Sequence, residues 1–523
     1  MKPKNISIYD TTLRDGSQTV GISFSVQDKI NIAKALDQLK IDYIEGGWPG
    51  SNPKDDEFFK KIKNEKLKHS KIVAFGSTKR PKVNIKDDPF IKALLKSKTE
   101  AVTIVAKTWD FHVTKALGIS LDENLNLIHE TITYLKKKKV EVLIDAEHFF
   151  DGYKSNVKYS RQCLYTAYDS GADMIVLCDT NGGTLPHETK SIIEKILTEI
   201  DLPIGVHFHN DSGVAVANSL ISVLAGVKSV QGTINGYGER CGNCDLMTLI
   251  PNISTKLNYT CQASSALKHF TRISKFVSET ANFTHDARAP FVGDNAFVHK
   301  GGIHVSALQK DPRTYEHLNP TLVGNQRRII VSELSGKSNI EFKSKEMGFN
   351  LDNNSKVNKK ILSIVKSLED QGYQFEAAEG SLELIIRKNT GQYLPFFKLK
   401  GFRVITEMDE SQKINCEATI KVEVNEQIEH TAANGNGPVE ALDNALRKAL
   451  TKFYPQIKEL HLSDYKVRVL NEKEGTGSSV RVLIDQKVQT ERWATIGVSS
   501  NIIEASWQAL VDGIEYMLLK KIK

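Results

Sequence analysis

The sequence predicts an α/β fold: a (β/α)8 TIM barrel, then a small helical linker module, then a C-terminal α+β domain with an internal repeat. Short strand-like apolar segments recur eight times at intervals of about thirty residues through the first half of the chain. Most of the stretches between them carry a helical pattern. Near the C-terminus the pattern EAxxxAL occurs twice, sixty-four positions apart.

The strand-like segments lie at residues 6–10, 43–47, 71–78, 101–108, 140–149, 174–180, 204–210 and 229–236, with a helical pattern such as 25–36 in the intervals. Eight strand–helix units in succession fit a closed parallel barrel better than an open sheet, and residues 1–277 are assigned to it. Residues 278–340 are rich in Gly, Asn, Pro and His, notably Phe297-Val298-His299-Lys300-Gly301-Gly302-Ile303-His304, and are expected to form a connector arm that carries chemistry. A helical pattern at 356–371 stopped by Gly372, and a second at 375–388, predict a helical subdomain over 341–395. Residues 396–523 hold the repeat: Glu440 to Leu446 and Glu504 to Leu510 each follow alternating strand-like segments and a glycine-containing turn, at 433–438 and 496–500. A repeat without acid–base residues of its own suggests effector binding or dimerisation; a purely structural tail is the alternative.

Composition narrows the class. With 40% hydrophobic and 25% charged residues over 523 positions, the chain has room for a large core and several modules. No run approaches the roughly 20 apolar residues needed to cross a bilayer, and no apolar signal region precedes the first strand, so a cytoplasmic protein without membrane contact is expected. The net charge of +7 comes from scattered lysines, including the run 136–139, rather than from basic residues interleaved with aromatics on one face. That argues against nucleic acid and leaves some benefit for anionic substrates. The six cysteines read as reduced thiols. Cys241 and Cys244 form a CxxC with no second pair for a structural zinc, and redox work at the rim is a minor alternative.

The chemistry-bearing constellation is His207 and His209, with Asp15 near the N-terminus and Asn243 downstream. Two histidines two residues apart on a strand point to the same side and can offer both imidazoles to one ion. A carboxylate and an amide oxygen would complete a mixed nitrogen and oxygen site, suited to a borderline divalent ion that polarises a carbonyl. Alternatively the pair are histidines satisfied by neighbours. Position favours the ligand reading, because Arg14, Asp15, Glu45, Lys107, Glu147, Thr180, His207 and His209 all fall at C-terminal ends of predicted strands. An eight-fold barrel builds its active site at that end.

The segments Asp10-Thr11-Thr12-Leu13-Arg14-Asp15-Gly16, His207-Phe208-His209-Asn210-Asp211 and Gly238-Glu239-Arg240-Cys241-Gly242-Asn243, together with the C-terminal repeat, resemble the family of 2-isopropylmalate, homocitrate and citramalate synthases over essentially the whole chain. Residues 44–53 and 372–379 look most like the citramalate-forming branch, which condenses pyruvate with acetyl-CoA. The isopropylmalate-forming branch, which uses 2-oxoisovalerate, is the alternative. The resemblance implies an acyltransferase with Asp15, His207, His209 and Asn243 as ligands of a divalent metal ion (Mn, Mg, Zn or Co). It further implies that Arg14 faces the keto oxygen, Thr180 binds the keto-acid carboxylate and Glu147 lies near the acetyl methyl group. His304 and Tyr315 match the histidine and tyrosine of the arm and are candidates for the base and its partner. A homodimer with crossing arms, and regulation by isoleucine as part of isoleucine biosynthesis, are also implied. One position departs from the pattern: Asp145 stands where some citramalate synthases carry a tyrosine.

Two other classes make different expectations. Metal-dependent hydrolases on this barrel commonly place their HxH on the first strand, whereas here it falls on the seventh. A non-catalytic binding protein would show a broken constellation, and every ligand position is present.

Overall fold

The computed structural model describes residues 4–257, 259–332, 335–348, 356–470, 475 and 477–521. Eight parallel strands close a barrel: β1 (Ser7–Asp10), β2 (Tyr43–Gly47), β3 (Lys71–Ser77), β4 (Ala101–Lys107), β5 (Glu141–Glu147), β6 (Met174–Asp179), β7 (Ile204–Phe208) and β8 (Ser229–Gly232). β8 pairs in parallel with both β7 and β1, which removes the sheet edges. Alternation along the strands divides their apolar side chains. Tyr9, Val73, Ala101 and Leu143 form a small cluster, while Ile8, Val102 and Ile144 join helix residues such as Leu36 and Ile132 in the large one.

Three predicted strands end earlier than the sequence suggested. Phe149 already belongs to the helix Phe149–Ser155, His209 leaves the ladder to bridge Asn243, and Ile234–Gly236 is a 3-10 turn. The helices start where local chemistry dictates: Val26–Gln38 opens with Ser25 accepting from the Asp28 amide while the Asp28 carboxylate accepts from the Ser25 amide.

The chain forms two compact units, one of residues 1–297 with 318–326, the other of residues 298–317 with 327–523. The expected boundary at 277 falls inside the helix Phe270–Thr280, and the one at 340 inside the helix Lys337–Glu346. In the second unit, the helices Lys356–Asp370 and Glu379–Thr390 bury Ile361, Val365, Leu382 and Ile386 with Val331, Ile340 and Phe375. Gly372, at φ 104°, turns the chain after the first of them.

The repeat is a three-stranded antiparallel sheet followed by a helix, formed twice. β9 (Lys398–Met408), β10 (Ile414–Val424) and β11 (Gln427–Gly435) precede the helix Pro438–Leu450; β12 (His461–Val469), β13 (Val480–Val488) and β14 (Glu491–Ser499) precede the helix Ile502–Lys521. The segments expected to be turns are mostly the ends of β11 and β14. Gly435 and Gly497 sit there because a Cβ would collide with the backbone of Ala441 and Ala505, so each helix packs directly on the strand before it. Equivalent hydrogen bonds tie each helix down: Thr431 Oγ1 donates to Ala445 O (2.8 Å) and Thr495 Oγ1 to Ala509 O (2.7 Å). Among the described residues, no helix is long and apolar enough to cross a membrane.

Candidate metal centre and barrel mouth

Asp15 follows β1, His207 lies on β7, and His209 and Asn243 meet in the bridge just beyond β7. All four are buried. One ligand atom from each of Asp15, His207 and His209 falls within 4.8 Å of the others, with His207 Nε2 3.3 Å and His209 Nε2 4.0 Å from Asp15 Oδ2. Asn243 Nδ2 donates to the same Asp15 oxygen at 2.9 Å. Its Oδ1 is buried without a hydrogen-bond partner, as is His209 Nδ1. A buried amide oxygen with no donor, beside a carboxylate and two imidazoles, fits a cation and is costly without one. Gly238 belongs to this arrangement, since a Cβ there would lie 2.5 Å from Asn243 Oδ1.

The electrostatics follow from burial and pairing. Burial opposes the charge on Asp15, yet the Arg14 guanidinium and the hydrogen bond from His207 hold its carboxyl well below the usual range. Burial likewise opposes a charge on His207, and Asp15 overrides it and raises that pKa, whereas burial together with His207 lowers His209 to about 3. Asp15 therefore stays ionised in its buried position, with Arg14 and His207 favouring its charge.

Arg14 is fixed on two sides. Its Nε donates to Glu45 Oε1 at 2.6 Å and its guanidinium lies 4.0 Å from the centre of the Phe75 ring. Glu45, fully buried on β2, also accepts from the Tyr9 hydroxyl at 2.8 Å. Thr180 Oγ1 accepts from the His148 amide at 2.9 Å, which leaves its hydroxyl proton for another acceptor. Glu147, the last residue of β5, is ion-paired with Lys107, the last residue of β4, and His112 Nδ1 is 3.8 Å away. Arg14, Asp15, Lys107, Glu147, Thr180 and His209 line one cavity of about 430 Å³, with Phe75, Val105, Leu117 and Leu127 as apolar wall. A second cavity, of about 640 Å³, shares Arg14, Gln18 and Trp48 with it and runs along the loops after β1 and β2.

The structure thus gathers seven of the nine sequence-predicted site residues around one mouth. The other two, His304 and Tyr315, lie in the second unit, both exposed, with rings stacked 4.1 Å apart. Their segment is braced by Glu316, which accepts from Arg327 Nε at 2.6 Å and lies 3.3 Å from His299 Nε2. The sequence reading gave no role to Arg240 and Asp211, although both lie inside the quoted motifs. Arg240 donates through Nε and Nη2 to the two Asp211 oxygens at 2.7 and 2.9 Å, and through Nη2 to Thr180 O at 2.7 Å, clamping three loops of the mouth. His148, Asn235 and Arg240 adopt left-handed backbone at φ 55°, 60° and 58°, strain of the kind held at functional sites. Cys241 and Cys244 are both free thiols, Cys241 exposed and Cys244 buried.

The closed barrel, with Asp15, His207, His209 and Asn243 buried together at its C-terminal end, is matched over residues 5–277 by the HMGL-like family, and the chain belongs to that family. Residues 291–373 match the homocitrate synthase post-HMGL domain-like family and residues 376–518 the LeuA allosteric (dimerisation) domain, which begins well before the boundary expected at 396. More particularly, the chain is 54% identical over 516 residues to the (R)-citramalate synthase of Geobacter sulfurreducens, covering 98% of each chain. It is 52% identical to that of Aquifex aeolicus, over 99% of this chain and 98% of the relative. The 2-isopropylmalate synthase of Methanocaldococcus jannaschii is 31% identical, over 100% and 96%.

Proposed function

We propose that this chain condenses acetyl-CoA with pyruvate in a Claisen-type reaction that gives (R)-citramalate and CoA. The similarity to (R)-citramalate synthases along the whole chain carries this reading, since the isopropylmalate-forming relative is far more distant. A divalent ion held by Asp15, His207, His209 and Asn243 supplies Lewis-acid polarisation of the keto carbonyl. Arg14, immobilised by Glu45 and Phe75, presents a fixed positive charge where the keto oxygen becomes an alkoxide. Thr180 directs its hydroxyl proton to the keto-acid carboxylate, with the His148 amide keeping the lone pair occupied. The 430 Å³ cavity suits the keto acid and the acetyl group, and the adjoining 640 Å³ cavity gives the thioester's pantetheine arm a route out between the loops. His304, stacked on Tyr315, removes the methyl proton with Glu147 assisting at the acetyl group. Attack on the keto carbon gives citramalyl-CoA, and water then cleaves the thioester.

The dimerisation domain match supports a homodimer. In it, the segment 278–340 acts as the arm, 341–395 as its helical support and 396–523 as the regulatory part, and each arm closes over the partner's barrel. Isoleucine is the effector assigned to the repeat, at the strand ends that carry Gly435 and Gly497. The enzyme works in the cytoplasm.

A keto-acid panel with acetyl-CoA, read by free thiol, tests the reaction. Pyruvate should give the highest kcat/KM, and a higher value with 2-oxoisovalerate would overturn the assignment. Coexpressing Asp15→Ala with His304→Ala protein tests the crossing arms, because a heterodimer then regains one complete site. No recovery in proven heterodimers would confine each arm to its own barrel.

A further inference from the structure

Beneath the metal centre, His207 is held from behind by two residues to which the family resemblance assigned no role there. His207 on β7 and Gln231 on β8 are register partners, and His207 Nδ1 lies 2.8 Å from Gln231 Oε1. Gln231 Nε2 in turn donates to Asp145 Oδ1 on β5 at 2.9 Å. Gln231 is 1% and Asp145 4% exposed, so water does not substitute for either contact. Asp145, the one departure from the family pattern, does not line the 430 Å³ cavity.

For a neutral His207, the form that can ligate a cation, beside an ionised Asp145, the donor and acceptor rules along this chain of contacts have one consistent solution. An ionised carboxylate only accepts, so the Gln231 amide must turn its NH2 toward Asp145 and its oxygen toward His207. An amide oxygen also only accepts, so the hydrogen of His207 sits on Nδ1. In neutral His207 the lone pair is then on Nε2, which faces Asp15 at 3.3 Å; without an ion a second proton on Nε2 makes the hydrogen bond to Asp15, and a bound cation takes that proton's place. The opposite tautomer would set two buried acceptors against each other.

We infer that Gln231 and Asp145 are positioning residues that hold His207 in the tautomer presenting its Nε2 lone pair to the divalent cation. The inference rests on the metal reading of the site. It gives Asp145 a place in metal binding rather than in keto-acid selection, and it makes the interior of the barrel, not only its rim, part of the active site.

The test is binding of Mn²⁺ to metal-free protein at pH 8.5, above the value of about 7 to which burial and Glu45 push the Asp145 carboxyl. Wild-type protein should bind one ion per chain; no binding there would overturn the metal reading itself. Gln231→Leu should bind about 10–100-fold more weakly. Asp145→Leu leaves the amide in place but free to turn, and should lose about ten-fold, the low end for such partners. The exchange pair Gln231→Glu with Asp145→Asn restores an acceptor for His207 and a donor for that acceptor, and should return affinity to within a few-fold of wild type. If either single variant, shown to be folded by its melting curve, binds Mn²⁺ as tightly as wild type, the inference is overturned. If the Gln231→Leu protein does not fold, the Asp145→Leu protein and the exchange pair decide it, and an exchange pair that binds no tighter than Asp145→Leu overturns it as well.

Discussion

At the barrel mouth, Asp15, His207, His209 and Asn243 are buried together, and two of their polar atoms have no protein partner. In the C-terminal repeat, Thr431 and Thr495 close equivalent hydrogen bonds to a helix carbonyl, and the surrounding core is mainly Ala, Leu, Ile and Val. The open atoms at the mouth sit beside a carboxylate and two imidazoles; the repeat closes its two threonines in the same way and, among the described residues, leaves Asp443 Oδ1, both amide atoms of Gln486 and Trp493 Nε1 buried without a partner, away from any such cluster. Open valences clustered with ligand-type side chains suit a cation, whereas paired threonines tie helix to sheet. Substitutions in the first should therefore remove activity without unfolding the protein, and substitutions in the second should do the reverse.

The largest effect is expected at the ligands. His207→Ala or Asp15→Ala should lower turnover by orders of magnitude and abolish stoichiometric divalent-ion binding, and chelation of wild-type protein should have the same effect, reversed by adding the ion back. Full turnover in rigorously metal-free protein would refute the site. Next, Arg14→Gln should cost about 10²–10³-fold in kcat, since it removes the fixed charge at the developing alkoxide while KM for acetyl-CoA changes little. A loss confined to KM would mean that Arg14 only binds substrate.

In the repeat, Thr495→Val removes a buried hydroxyl that donates to Ala509, and should lower stability by about 1 kcal/mol with activity unchanged. Thr431→Val, at a less buried site, should cost less. Equal activity loss in both would blur the contrast drawn above. The smallest effect is a pH dependence. Burial pushes the Asp10 carboxyl up to about 7 against the opposing hydrogen bonds from Thr12. With the unfolded value near 4, the folded state holds this proton more tightly, so the group's contribution to stability is full below about pH 4 and is lost as pH rises through 7. Asp10→Asn should therefore narrow the fall in Tm between pH 5 and pH 8 by a few degrees, measured by thermal melting. An unchanged difference would place the titration elsewhere.

Much of the architecture was legible because each element announces itself locally. Apolar runs at thirty-residue spacing located all eight barrel strands, and the helical pattern at 25–36 falls on the helix Val26–Gln38. The errors fell at strand ends near the mouth, at Phe149, His209 and Ile234, where tertiary contacts draw residues out of the ladder. The limits of the arm are less marked. The helices Phe270–Thr280 and Lys337–Glu346 run across the positions 277 and 340, where composition alone carries no helix signal of its own.

By itself the sequence determined the barrel, the duplicated sheet–helix unit and the residue types at the mouth, because periodicity and motif spacing are properties of neighbouring positions. Only the tertiary structure decided which buried groups pair. Gln231 meets Asp145 eighty-six positions away, Tyr9 meets Glu45 thirty-six away, and Arg240 reaches Asp211 and Thr180. The inward positions of the eight strands look alike in sequence. Closure of the barrel, with its fixed strand tilt and register, selects which of them face each other across the interior.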